Sequence, residues 1–266
     1  SPEESPEECW LAAPTIDLPL IGNHTMRFVW VPPGESWLGG GVSWYEDEEP
    51  QPGDSQFTLE KPLWCGIYPV TQAEWEAVMG NNPSHFKNNP THPVEMVCWE
   101  DVQEFLAKVN QERSGRGLVF RLPTEEEWEY ICRGGPLSRD DSHYDFTFAR
   151  SLIDLTPVRS NDLSSHQANF NGNSPAGNAK VGPNLQRTSP VGWYLPNPLG
   201  IHDLHGNVRE WTSTEVRDER GSYRVNRGGS WLLYGRDCTA AYRDSNDLGY
   251  CSHTLGFRLL AVPVEG

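Results

Sequence analysis

The segment PLGIHDLHGNVREWTS, residues 198–213, is the part of the sequence that says most about the fold. It is rich in turn residues and places Asp203, Gly206, Val208 and Glu210 within eight residues. Two carboxylates at this spacing, with backbone carbonyls turned inward around a glycine, could supply four hard oxygen ligands to Ca²⁺. The alternative is a tight turn in which Asp203 bonds its own backbone and Glu210 pairs with an arginine.

The chain that follows reads as a long insert between two strand ends. The run RVNRGGSWLLYGRDCTAAYRDSNDLGYCSHTLGFRLL covers residues 224–260, and residues 232–255 separate RGGSW from GFRLL. Three of its five arginines are interpreted as structural side chains that donate to backbone carbonyls or carboxylates: Arg227, Arg243 and Arg258.

Capping signals and periodicity predict three helices in the first half of the chain. Residues 71–80 and 124–135 each begin with threonine followed three residues later by glutamate, a capping box, and each ends at glycine. Residues 99–110 carry apolar side chains at helical spacing. Residues 18–37 alternate like half-buried strands broken by turns.

Beyond residue 135 the helix signals stop, and Asn, Gly, Pro and Ser dominate. We therefore predict one α+β domain over residues 18–266 with a loop-rich second half. Residues 40–56 are Gly-rich and acidic and are expected to form an exposed loop. Residues 1–17 begin with SPEESPEE and are expected to be a linker or the end of a truncated upstream region, in which an effector domain could lie.

Composition excludes several classes of function. The 266 residues carry a formal net charge of −16, which argues against a nucleic acid or an anionic membrane surface as the main partner. No apolar run approaches the roughly 18 residues that a membrane-spanning helix needs, so no membrane insertion is expected. The sequence also lacks GxSxG, Walker, HExxH and GxGxxG motifs, the usual signatures of hydrolases and nucleotide-binding enzymes.

The six cysteines are scattered and include no CxxC pair, so neither a disulfide-stapled scaffold nor a local zinc site is predicted. Four of them lie in apolar settings typical of buried free thiols, and the N-terminus shows no signal segment. Cysteine usage does not decide the cellular compartment of the protein, although a reducing compartment such as the cytoplasm is favoured.

Seven segments together resemble the formylglycine-generating enzyme, or sulfatase-modifying factor, family. They run in family order from residue 28 to residue 259: FVWVPPGESWLGG, YPVTQAEWEAVMG, PVEMVCWEDVQEFLAKVN, RLPTEEEWEYICRGG, GIHDLHGNVREWTS, RGGSW and GFRL. The resemblance implies a C-type lectin-like fold with few helices and short antiparallel strands. It also favours structural Ca²⁺ at Asp203, Gly206, Val208 and Glu210, the middle two through their carbonyls. A second family calcium site at Asn169 lacks its downstream carboxylate here.

The resemblance argues against oxidase activity. Oxidase members bind Cu(I) through two cysteines five residues apart, and the corresponding positions here are Leu233 and Cys238. Aligning on the later arginine instead places the pair at Ser230 and Gly235. Leucine cannot supply the soft thiolate that Cu(I) requires, so no copper is expected. The alternative is a divergent copper oxidase acting on a thiol substrate, with Cys238 and Cys251 as ligands.

Within the same fold class, the chain most resembles the variable proteins of diversity-generating retroelements. Their segment between GGSW and GFRL is diversified at codons that cannot encode Lys, Gln, Glu, Met or Trp, and residues 232–255 contain none of these five. The resemblance implies a non-catalytic protein that binds a protein ligand. Its predicted contact residues are Leu232, Leu233, Tyr234, Gly235, Asp237, Asp244, Ser245, Asn246, Asp247, Leu248, Tyr250, Ser252 and His253.

Overall fold

The computed structural model describes residues 13–22, 24–41, 53–112, 117–219 and 221–264. These ranges contain three α-helices: α1 (Gln72–Met79), α2 (Trp99–Glu112) and α3 (Glu125–Cys132). They also contain 3₁₀ turns at Asp140–His143 and Gly235–Cys238. The strands are β1 (Thr15–Pro19), β2 (Thr25–Val31), β3 (Gly34–Leu38), β4 (Ser55–Leu59), β5 (Leu63–Gly66), β6 (Leu118–Arg121), β7 (Phe146–Ala149), β8 (Pro157–Ser160), β9 (Arg209–Asp218), β10 (Gly221–Arg227), β11 (Arg243–Asp247), β12 (Leu255–Phe257) and β13 (Leu260–Pro263).

The helices form where their caps predict. Thr71 and Glu74 make a reciprocal capping box at the start of α1, and Gly80 ends the helix in the left-handed region with φ of 76°. Thr124 and Glu127 cap α3 in the same way. The second predicted helix is also present, and α2 runs two residues past the expected end. All three predictions are confirmed.

Two sheets organise the domain. The larger has the strand order β1-β2-β5-β13-β6, which pairs the last strand of the chain with strands from the first half. The smaller has the order β11-β10-β9-β12, and only its β9–β12 pair is parallel. Hairpins β3–β4 and β7–β8 complete the described strands. Because β10 precedes residues 232–255 and β12 closes them, the smaller sheet holds both ends of that segment.

The domain begins slightly earlier than the sequence suggested. Thr15 and Asp17 already pair with Val29 and Arg27 of β2, so β1 includes residues assigned to the N-terminal linker. Residues 1–12 of that linker and residues 42–52 of the predicted acidic loop lie outside the described residues.

Aromatic packing fixes the helices onto the sheets. Phe28 and Phe120 stack with ring centroids 5.3 Å apart. Trp75 of α1 stacks on Phe105 of α2 at 5.4 Å, and Phe257 of β12 meets both rings edge-on. A second core cluster lies beneath α3. The result is the predicted α+β, C-type lectin-like architecture. None of the helices among the described residues is long and apolar enough to cross a membrane.

A surface formed by residues 232–253 and its buried support

Residues 232–253 connect β10 to β12 and include the 3₁₀ turn at Gly235–Cys238 and the edge strand β11 of the smaller sheet. Trp231 is buried at the start, and its indole Nε1 donates to the carbonyl of His253 over 2.9 Å, which joins the two ends of the segment. Between them, Leu232, Tyr234 and Tyr250 expose 48%, 45% and 40% of their surface. Large apolar groups this exposed are available to a partner.

The thirteen predicted contact residues divide into two groups. Gly235 and Ser252 are buried, and a Cβ at Gly235 would overlap the backbone nitrogen of Ala176 and lie in tight contact with Phe170. We therefore correct the predicted surface by leaving these two out. The remaining eleven are exposed or half-buried and are called the 232–253 face below: Leu232, Leu233, Tyr234, Asp237, Asp244, Ser245, Asn246, Asp247, Leu248, Tyr250 and His253.

Backbone hydrogen bonds hold this segment on the scaffold. The carbonyl of Leu233 accepts from the backbone N–H of Asn171 over 2.9 Å, and the N–H of Gly235 donates to Ser174 over 2.8 Å. Farther along, the carbonyl of Leu248 accepts from Trp99 over 3.0 Å. Since these bonds involve main-chain atoms only, they do not depend on which side chains stand at the surface positions.

Two polar residues of the 232–253 face bond to the scaffold. Arg209 donates to the carboxylate of Asp244 over 2.5 Å, and its other terminal nitrogen donates to the hydroxyl of Thr254 over 3.1 Å. The Asn226 amide donates to the Asn246 oxygen over 3.0 Å. Asp244 therefore links β11 to Arg209 of β9, and Asn246 links it to Asn226 of β10.

A buried ion triad supports the loop before β11. Glu129 of α3 accepts from Arg133 Nε over 2.8 Å and pairs with Arg227 Nη2, and all three side chains are buried. Arg227 also donates to the carbonyls of Ala241 and Tyr242 over 2.7 and 2.8 Å. Burial alone would raise the pKa of Glu129, but the two guanidinium groups hold it below its ordinary value.

A second buried ion pair joins the turn at residues 200–208 to the C-terminal strands. Arg258 donates to both carboxylate oxygens of Glu210, over 2.7 Å to Oε1 and 3.1 Å to Oε2. Trp128 donates to Glu210 Oε2 over 2.7 Å, and Arg258 also reaches the carbonyls of Gly66 and His202. The arginine pairing considered for Glu210 is therefore present. The structural roles expected for Arg227 and Arg258 are both confirmed, and Arg243 pairs with Glu125 on the surface.

Of the two carboxylates proposed as calcium ligands, Glu210 is paired with Arg258, whereas Asp203 is held by the backbone. Asp203 accepts from the N–H of Gly192 over 2.7 Å, and its φ of 61° lies in the left-handed region, as do those of Gly206 and Asn207. Loss of hydration raises the pKa of Asp203 to about 6, and the Glu210 charge adds to the rise. The two carboxylates face one arginine, Arg258, so the cluster keeps a net negative charge when both are ionised. A bound cation would balance that charge.

Asn169 marks the family's second calcium site, which lacks its downstream carboxylate in this sequence. Its Oδ1 atom is buried with no hydrogen-bond partner among the described residues, while its Nδ2 donates to the carbonyl of Arg187 over 3.0 Å. The residues around it, Ser189 and Asn207, are neutral. The described structure therefore adds no carboxylate to this position.

The two cysteines considered as copper ligands lie in different surroundings. Cys238 is buried beside Phe146 and Phe170, and desolvation raises the pKa of its thiol above its ordinary value. A Cβ at Gly229 would overlap the sulfur of Cys238, so the backbone at Gly229 lies directly against this thiol. Cys251 is exposed and lies beside Cys98 instead.

The structure adds neighbours that the sequence did not single out. His253 packs between the rings of His85 and Trp231, with centroids 5.6 and 5.2 Å apart, and Phe86 meets Trp231 edge-on. The buried carboxylate of Glu95 holds the backbone under these rings, because it accepts from the N–H groups of residues 85 and 86. These contacts are long-range, so no local motif marks them.

A pocket of about 330 Å³ opens beside Trp231. It is lined by Asn171, Asn184, Gln186, Trp231 and Leu232. Three amides can both donate and accept hydrogen bonds, which suits a peptide-like group. A larger groove of about 1240 Å³ lies along β4 and β6 and contains none of the predicted contact residues.

Comparison with known proteins agrees with this architecture. The model of the sulfatase-modifying factor enzyme 1-like domain matches residues 21–262. The formylglycine-generating enzyme of Mus musculus is 30% identical over 77% of this chain and 53% of its own length. The inactive C-alpha-formylglycine-generating enzyme 2 of Bos taurus is 32% identical over 75% of this chain and 59% of its own. The chain thus spans little more than half of these relatives, which include an enzyme and a protein described as inactive.

The solved structure of Treponema denticola variable protein 1 superposes with a TM-score of 0.67 at 23% identity, covering 94% of this chain and 99% of the other. PvdO from Pseudomonas aeruginosa gives a TM-score of 0.65 at 24% identity, with 89% and 94% covered. These likenesses show the fold. The domain match over residues 21–262 shows that the chain belongs to the sulfatase-modifying factor family, the family of the formylglycine-generating enzymes.

Proposed function

We propose that this protein is a non-catalytic binding protein whose 232–253 face contacts a protein ligand. One observation carries the proposal: exposed side chains such as Leu232, Tyr234 and Tyr250 stand on a backbone that is held by other atoms. A surface built in this way can change these exposed side chains without losing its shape.

The chemistry of the exposed residues supports a protein ligand. Tyr234 and Tyr250 offer rigid amphipathic area at low entropic cost, and Ser245 and Asp247 add adaptable hydrogen bonding. The amide-lined pocket beside Trp231 could receive a peptide group at the edge of the same surface.

The absence of a second thiol at position 233 supports a non-catalytic role. Leu233 stands where oxidase members place their first copper-binding cysteine, and Cys238 is buried with a raised thiol pKa. Copper(I) binding needs accessible thiolates, so this arrangement does not favour it.

Two matched libraries test the proposal. The first randomises the exposed residues Leu232, Tyr234, Asp247 and Tyr250. The second randomises Gly235, Asp244, Asn246 and Ser252, which are buried or bonded to the scaffold. Protease resistance should persist in most members of the first library, since exposed substitutions usually change stability by less than about 0.5 kcal/mol each. Most members of the second should lose it.

The same experiment can contradict the proposal. Equal losses of protease resistance in the two libraries would show that the exposed side chains hold the fold. The folded members of the first library, selected against a purified folded protein, should also yield binders. Failure to recover any binder would count against a ligand-binding face.

Calcium is proposed as a structural ion at Asp203, Glu210 and the carbonyls of Gly206 and Val208. When bound, it would supply positive charge between the two carboxylates and fix the turn before β9. Free Ca²⁺ at a hundred times its dissociation constant would stabilise the native state by about 2.7 kcal/mol, so chelation should lower Tm by about 5–10 °C. Differential scanning calorimetry measures this shift.

Matched variants assign the calcium effect to its site. Asp203→Asn should remove the chelator effect, whereas Asp154→Asn, a change at a surface carboxylate, should preserve it. An identical melting curve for the wild-type protein with excess calcium and with excess chelator would refute the calcium proposal.

A further inference from the structure

The 232–253 face ends at a pair of thiols that the ligand-binding proposal does not use. The sulfur atoms of Cys98 and Cys251 and a carboxylate oxygen of Asp101 all lie within 4.8 Å of one another. Cys98 is buried just before α2, and Cys251 is exposed between β11 and β12. The two cysteines are 153 positions apart in the sequence, so the fold alone brings them together.

Backbone hydrogen bonds bracket this pair on both sides. The N–H of Met96 donates to the carbonyl of Ser252 over 2.9 Å, and the N–H of Trp99 donates to that of Leu248 over 3.0 Å. The two main chains therefore run next to each other where the cysteines lie. Such proximity is what a disulfide requires, since its Cα atoms are usually about 4.4–6.8 Å apart.

We propose that Cys98 and Cys251 form a reversible disulfide that fastens the loop between β11 and β12 to the start of α2. The oxidant is a small-molecule disulfide such as oxidised glutathione. The exposed Cys251 thiol loses its proton to water, and its sulfur attacks one sulfur of the oxidant, which breaks the S–S bond of the oxidant, forms a mixed disulfide and releases the first small thiolate. Cys98 then gives its proton to solvent or to the released thiolate as its sulfur attacks the sulfur of Cys251, which forms the intramolecular bond and releases the second small thiolate.

The local contacts fit this order of events. Burial, aided by the hydrogen bond to Asp101, raises the pKa of the Cys98 thiol to about 12, so Cys98 is protected from reagents in solution. The Asp101 N–H donates to Cys98 Sγ over 3.4 Å, and the Cys98 N–H donates to the Asp101 carboxylate over 2.9 Å. These two bonds hold the sulfur at the helix start, where the mixed disulfide on Cys251 would meet it.

The disulfide would have a consequence for binding that rests on the proposed function. Leu248, Tyr250 and His253 lie on the bracketed loop, so the crosslink would restrict one edge of the 232–253 face. The crosslink itself does not depend on that function and can be tested alone.

Peptide mapping by mass spectrometry after incubation with oxidised glutathione tests the inference. The intact protein should lose the mass of two hydrogen atoms, and the digest should contain a peptide joining Cys98 to Cys251. Dithiothreitol should reverse both changes, and the oxidised form should melt at a higher temperature. Cys251→Ser should abolish the crosslink, whereas Cys9→Ser, which removes a different thiol, should retain it.

Two outcomes would overturn the inference. One is glutathione that stays attached to Cys251 with no joined peptide, even after prolonged incubation. The other is stoichiometric binding of Zn²⁺ to the reduced protein that disappears in Cys251→Ser while no disulfide forms, which would make the cluster a metal site. Neither outcome bears on the library test of the binding face.

Discussion

Replacing Glu129 with glutamine is expected to lower the free energy of unfolding by about 3–5 kcal/mol, the usual cost of removing one partner from a buried ion pair. The change leaves the guanidinium groups of Arg133 and Arg227 buried without their shared negative charge. Because Arg227 also holds the carbonyls of residues 240–242, the loop that leads into β11 should loosen with it. Urea denaturation followed by tryptophan fluorescence measures the loss.

Glu126→Gln is the matched control for this prediction. It makes the same chemical change on the same helix at an exposed position, where an effect below about 0.5 kcal/mol is expected. If the two variants unfolded at the same urea concentration, the ion triad could not be the support of the 232–253 face.

Replacing Arg258 with methionine is expected to cost a similar amount, about 3–5 kcal/mol. With calcium removed by excess chelator, the substitution leaves Glu210 buried without its guanidinium partner, with Asp203 nearby and, among the described residues, only the indole of Trp128 still donating to it. The double variant Arg258→Met with Glu210→Gln should recover part of the loss, because the unpaired charge is gone. Thermal and urea unfolding of the single and double variants measure this coupling.

Arg243→Met provides the control for the arginine prediction. Arg243 pairs with Glu125 on the surface and is about half exposed, so its loss should cost at most about 1 kcal/mol. Equal destabilisation by Arg243→Met and Arg258→Met, or no recovery in the double variant, would contradict the account of the buried pair.

The sequence predicted those parts of the fold that local chemistry decides. The capping boxes at Thr71 and Thr124 fixed the starts of α1 and α3, because each involves residues only three positions apart. The end of the regular helices near residue 135 followed from the composition. The expected structural roles of Arg227 and Arg258 were also correct, although their partners were not identified.

Long-range pairing could not be read from the sequence. Glu129 and Arg227 are 98 positions apart, and nothing local marks Glu129 as different from the capping glutamates of α3. The burial of Gly235 depends on Ala176 and Phe170, which lie in an irregular segment with no detectable period. The proximity of Cys251 to Cys98 depends on how α2 meets the smaller sheet. Each of these contacts needs the folded chain to bring distant residues together.

The central claim is tested most directly by titrating the reduced protein with copper(I). A chromophoric chelator competes for the copper, and a thiol peptide and oxygen are present. The measurement uses the Cys251→Ser protein with and without Cys238→Ala, so that the surface thiol pair does not contribute. We predict no tight stoichiometric binding that depends on Cys238, no oxygen uptake above that of free copper and an unaltered peptide. Binding of one copper ion that is lost in Cys238→Ala, together with conversion of the peptide thiol to an aldehyde, would contradict the account.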